Sequence, residues 1–80
     1  MLVHSGGIFM VEVDARGLSC PEPVMLTNQA VKANPNEPVR VLVDEACALT
    51  NVQKFGKSKG RQVTVTENNG EYAIELSILS

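Results

Sequence analysis

The sequence predicts a two-layer α/β sandwich in a single domain, with element order β-α-β-α-β-β and both helices on one face of the sheet. Three observations carry this. Four segments alternate apolar and polar residues with the period of a strand, and two segments between them repeat apolar residues at helical spacing. None of the strands reads as continuously apolar, so only one sheet face is covered. Two strand–helix units with short loops imply right-handed crossovers and parallel neighbours, and the last two strands form a hairpin.

The first strand is Phe9 to Val13, where Val11 and Val13 alternate against Glu12 and Asp14. A turn, Ala15 to Ser19, leads to a helix with Leu26, Thr27, Ala30, Val31 and Ala33 on one face. Asn34-Pro35-Asn36-Glu37 is a turn. The second strand, Pro38 to Asp44, sets Val39, Val41 and Val43 on one face and Arg40 and Asp44 on the other. The second helix runs from Ala46 to Ser58, with Ala48, Leu49, Val52 and Phe55 apolar, and Gly60 stops it. Gln62 to Thr66 is a strand and Asn68-Asn69-Gly70 a tight turn. The last strand, Glu71 to Leu79, turns Tyr72, Ile74, Leu76 and Ile78 inward and Glu71, Glu75 and Ser77 outward.

Eighty residues at 44% hydrophobic and 20% charged suit one globular domain with a small core. The formal net charge of −2 gives no sign of a general nucleic-acid or anionic-membrane binder. No apolar run approaches the roughly 20 residues of a membrane span. Residues 1–9 lack the basic and apolar regions of a signal peptide, and Met10 is a second candidate start, so residues 1–7 are expected to be a loose tail with His4 solvated. Two cysteines point to free thiols in a reducing, cytoplasmic setting and are too few for a four-ligand zinc site; no metal or cofactor is expected.

The chemistry concentrates at Cys20-Pro21-Glu22-Pro23, between strand and helix. A residue before proline is pushed to extended dihedrals, as an N-cap requires, so Cys20 reads as the N-cap. Pro21 then takes the first helical position and Pro23 falls among the amides without an intrahelical partner. A helix N-terminus favours thiolate by roughly 0.3–1 kcal/mol. The prolines remove two donors, and the nearby Glu22 opposes the thiolate. Arg16 is a candidate to offset Glu22 and stabilise the thiolate. The expectation is a moderately reactive, exposed thiol that can be loaded and unloaded; the plainer alternative is a cysteine that only caps the helix.

Asp14-Ala15-Arg16-Gly17-Leu18-Ser19-Cys20-Pro21-Glu22-Pro23-Val24-Met25 closely resembles the signature of the TusA/SirA-like sulfur-carrier family, which reads Asp-Ala/Thr-x-Gly-Leu-x-Cys-Pro-x-Pro before a helix. The resemblance runs from about Met10 to Leu79. It implies a mixed four-stranded sheet, as in the C-terminal domain of translation initiation factor three. It also implies that Cys20 carries sulfur as a persulfide, loaded by a donor such as a cysteine desulfurase and passed to an acceptor. The acceptor pathways of the family include transfer-RNA thiolation, molybdenum-cofactor synthesis and sulfur oxidation. Gly17, Leu18, Pro21, Glu22 and Pro23 form the frame around Cys20. Asp44-Glu45-Ala46-Cys47 stands where many members have Asp-Pro, which brings the chain closer to members associated with selenium metabolism.

Three further features stand beside the motif. Cys47, at the start of the second helix and off its apolar side, shares an end of the domain with Cys20 if the first two strands are parallel. It is then a candidate resolving cysteine, or a passive small residue. Met25 falls on the solvent side of the first helix, one turn from Cys20, as a candidate docking residue. Lys54, Lys57, Lys59 and Arg61 cluster near the end of the second helix, where cations complement the helix dipole or meet an acidic partner.

The leading reading is a sulfur carrier, a relay rather than a stand-alone catalyst and with no need to be more than a monomer. His4 is the only histidine, and no Ser-His-Asp set or Gly-rich phosphate loop can be assembled. One alternative is a thiol-independent binding or regulatory module. The open sheet face, with Glu12, Arg40, Thr64 and Glu75, lacks the aromatic platforms that stack bases, so direct nucleic-acid binding is not expected. A second alternative is a redox switch between Cys20 and Cys47.

Overall fold

The computed structural model describes residues 11–78. The expected contributions of Phe9, Met10, the N-terminal tail with His4, and Leu79 lie outside the described residues. Six elements follow in the expected order: β1 (Val11–Asp14), α1 (Glu22–Ala33), β2 (Val39–Val43), α2 (Ala46–Ser58), β3 (Gln62–Asn68) and β4 (Glu71–Ser77). The sheet is mixed, in the order β1-β2-β4-β3. β1 runs parallel to β2, with Val11 opposite Val39 and Asp14 opposite Leu42. β4 is antiparallel to both β2 and β3.

Alternation decides which sheet face is covered. Val39, Val41 and Val43 on β2, with Ile74 and Leu76 on β4, are fully buried, and α1 and α2 bring Thr27, Ala48 and Val52 against them. Thr27 is the polar member of this interior, and its hydroxyl donates to the Pro23 carbonyl at 2.7 Å. Gly56 sits on the same side of α2. A Cβ there would lie 2.5 Å from Leu76 Cδ2 and 3.0 Å from Val63 Cγ2, so the missing side chain is what lets α2 lie down on the sheet. The helix ends as expected: the Gly60 amide donates to the Lys57 carbonyl and the Arg61 amide to the Gly56 carbonyl, both at 3.0 Å, the paired bonds of a Schellman motif.

Four expectations about the elements need correction. α1 begins at Glu22, not at Pro21, because the first helical bond, from the Met25 amide at 3.1 Å, is accepted by the Pro21 carbonyl. Ala33 is exposed; it lies one turn from exposed Gln29, outside the face that holds Thr27 and Ala30. β3 extends to Asn68, because Asn69 and Gly70 both take positive φ and form a two-residue turn with Asn68 paired to Glu71. Ile78 lies past the end of β4 and is 39% exposed.

Arg61 also departs from its expected place among surface cations. It is 8% exposed. Its guanidinium donates to the carbonyls of Glu37 (2.8 Å), Leu76 (3.3 Å), Asn34 (3.3 Å) and Pro35 (3.2 Å), tying the α1–β2 loop to the end of β4.

Candidate functional site

The parallel pairing of β1 and β2 sends both following segments to the same end of the sheet. After β1 comes the loop with Cys20; after β2 comes Asp44, Glu45 and the first turn of α2 with Cys47. The two segments are bonded together. Gly17 has φ +82°, a conformation that costs glycine little, and its amide donates to both carboxylate oxygens of Asp44 at 3.1 and 3.0 Å. Leu18 and Cys20 pack on the core and anchor the loop from beneath.

Cys20 is not the N-cap of α1. The Glu22 amide donates to the Ser19 carbonyl at 2.9 Å, which closes a turn with Cys20 and Pro21 at its centre and a cis peptide bond between them. Pro21 is the flanking residue of the helix and Pro23 its second. The sulfur is half-buried rather than fully exposed.

The donor to that sulfur comes from α2. The Asn51 amide donates from Nδ2 to Cys20 Sγ at 3.3 Å and to Cys47 Sγ at 3.6 Å. One amide nitrogen carries two hydrogens, so it can serve both sulfurs. Cys47 is exposed, and both thiols are free. The sequence reading missed Asn51. Its signal was the spacing: four residues after Cys47, it lies on the same strip of α2.

These surroundings push the Cys20 thiol above the ordinary cysteine value. The largest cause is its hydrogen bonding with the neighbouring Cys47 thiol, followed by burial and the charge of that neighbour; the Asn51 donor pulls the other way, and the Glu45 charge adds a smaller rise. The acidic residue that acts on the sulfur is thus Glu45, in place of the expected Glu22. Arg16 faces elsewhere. Its Nε and Nη2 donate to the Asp14 carboxylate at 2.9 Å each, and its Nη1 to Glu71 at 3.3 Å. Held this way, the Asp14 carboxyl falls to about 2.

Met25 is 55% exposed, as expected of a solvent-facing residue. With Leu18, Glu22, Leu26 and Gln29 it lines a shallow hollow of about 240 Å³ beside the motif loop. Lys54 and Lys57 are exposed on α2. Helical periodicity places Lys54 on the strip of Cys47 and Asn51, with Lys57 off to one side. Lys59 lies over the Phe55 ring, 5.5 Å from its centroid. A broader hollow of about 530 Å³ between β1 and α1 contains neither cysteine. No helix among the described residues is long and apolar enough to cross a membrane.

Together these features define a small α/β domain that presents a cysteine on a surface loop. Comparison with known proteins identifies the family. The profile of Sulfurtransferase TusA matches residues 11–78. A protein of Methanocaldococcus jannaschii, named for sulfur carriage, is 34% identical over 61 residues, which span 75% of this chain and 81% of that relative. The crystal structure of a SirA-like protein from Desulfitobacterium hafniense aligns with a TM-score of 0.79 at 30% identity, covering 85% of this chain and 96% of the other. The chain belongs to the TusA/SirA-like family of sulfur carriers, proteins that stand between a donor and an acceptor of sulfur.

Proposed function

We propose that the chain carries sulfur as a persulfide on Cys20, taken from a donor such as a cysteine desulfurase and passed to a cysteine of an acceptor protein. The observation that supports this best is the setting of the Cys20 sulfur. It is half-buried on a surface loop with a neutral amide donor against it. A persulfide there can be held by Asn51 and still be reached by a partner's thiol. Gly17, Leu18, Pro21, Glu22 and Pro23 hold the loop in shape. Met25 and its hollow, with Lys54 and Lys57 on α2, offer a docking surface around the sulfur. A reducing, cytoplasmic setting suits this reading, because it needs free thiols. Transfer-RNA thiolation is one destination for the sulfur; molybdenum-cofactor synthesis, sulfur oxidation and selenium metabolism are others.

The test is intact mass after incubation with a cysteine desulfurase and free cysteine. The parent should gain one sulfur, removable by reductant, and C20S none. No gain on the parent, with the desulfurase shown to be active on another acceptor, would overturn desulfurase loading. A C20S chain that still performs the cellular role would favour a thiol-independent binding module.

A further inference from the structure

The site holds a second sulfur that simple carriage does not use. Cys47 is exposed in the first turn of α2, off the face that packs on the sheet, so packing gives it no role. Its sulfur and that of Cys20 share one amide nitrogen, at 3.6 and 3.3 Å, so they can be no further apart than those two distances laid end to end.

We infer that Cys47 discharges the Cys20 persulfide: the Cys47 thiolate attacks the inner sulfur, Cys20 Sγ, forms the Cys20–Cys47 disulfide and expels the outer sulfur as hydrosulfide. The inference rests on the carrier reading and adds the chemical form in which cargo leaves when no acceptor thiol takes it. The step balances. The bond between Sγ and the outer sulfur breaks and its electron pair leaves with the outer sulfur, which keeps its proton. That sulfur gains the two electrons that the Cys20 and Cys47 sulfurs lose. An external thiol reductant must then reopen the disulfide before another sulfur is accepted.

Two arguments favour the inner sulfur as the point of attack. The first is geometric: the two sulfurs that the disulfide joins already share one partner, the Asn51 amide nitrogen, at 3.3 and 3.6 Å. The second concerns the leaving group. Attack on the outer sulfur must expel the Cys20 side chain as an alkyl thiolate; attack on the inner sulfur expels hydrosulfide, a weaker base and so the better leaving group. Asn51 acts as a positioning residue for both sulfurs.

The experiment loads the parent, C47S, C47A and N51A with inorganic polysulfide, removes the excess and all small thiols without air, and follows intact mass and free sulfide over time. The parent should lose its added sulfur, release an equal amount of sulfide and end two hydrogens lighter than the reduced chain. C47S and C47A should hold the sulfur on Cys20, and N51A should discharge several-fold more slowly than the parent. A parent that holds its sulfur as long as C47S overturns the discharge step and leaves the carrier reading standing. Sulfur recovered on Cys47 with no sulfide released also overturns it, in favour of transfer to the outer position. Failure of C47S and C47A to take sulfur on Cys20 at all brings down the carrier reading as well.

Discussion

The two ends of the sheet carry two polar clusters of opposite character. Where β3 begins and β4 ends, a buried guanidinium meets four carbonyls, and both Nη nitrogens of Arg61 have two acceptors each. Where β1 and β2 end, a half-buried sulfur has a single neutral side-chain donor among the described residues, shared with a second sulfur. A buried charge without partners is costly, so the first cluster is closed off by hydrogen bonds that hold a loop in place. A sulfur tolerates weak satisfaction because its hydrogen bonds are weak, and that leaves the second cluster able to change its bonding partner. One end spends its polar groups on structure and the other keeps them available for chemistry.

Substitutions at either end should separate these roles. Cys20→Ser has the largest effect, complete loss of sulfur uptake, while urea unfolding should stay within about 0.5 kcal/mol of the parent. Arg61→Ala should do the reverse. Leaving several buried carbonyls unpaired should cost about 2–4 kcal/mol in urea unfolding, with sulfur uptake by the folded protein unchanged. Uptake that fell with Arg61→Ala in fully folded samples would break the comparison.

Smaller effects sharpen the chemical end. The pH midpoint of Cys20 alkylation should fall in Cys47→Ala, which removes the largest cause of the raised pKa, and rise in Asn51→Ala, which removes the opposing donor. Midpoints that did not move would mean the three groups do not act on one another in solution. Lys54→Glu with Lys57→Glu should slow desulfurase-driven loading roughly two- to fivefold, more at low salt, if an acidic surface docks there. The smallest effect belongs to the exposed Asp14–Arg16 pair. The folded Asp14 carboxyl titrates at about 2 against an ordinary 3.8, so its contribution is complete above the ordinary value and is lost as pH falls towards 2. Asp14→Asn should lower stability slightly at neutral pH and flatten the acid unfolding curve in that interval, so that variant and parent converge as pH approaches 2.

Much of this was legible in the sequence, because it was written in local patterns. α2 lies where its apolar spacing and Gly60 placed it, and the motif loop between β1 and α1 was marked by Gly17 and two prolines. Parallel β1 and β2 were enough to bring Cys47 to the Cys20 end. Local pattern could not place a side chain whose partner lies in another element. Arg61 looked like a surface cation, because its carbonyl partners come from a loop and a strand distant in sequence. Arg16 looked free to meet the sulfur until β4 supplied Glu71 beside Asp14. Asn51 was overlooked because an uncharged amide carries no chemistry alone; it matters only when α1 and α2 pack together.

The bare Cα at position 56 sets a tolerance. Because nothing projects there, α2 rests at the height that Leu76 and Val63 allow, with Ala48 and Val52 seated on the same sheet face further along the helix. Cys47 rides on the same helix about two and a half turns away. A side chain at position 56 would meet Leu76 and Val63 and force that end of the helix carrying Cys47 and Asn51 off the sheet. The seat of the helix that brings Cys47 and Asn51 to Cys20 thus depends on a position that contains no sulfur.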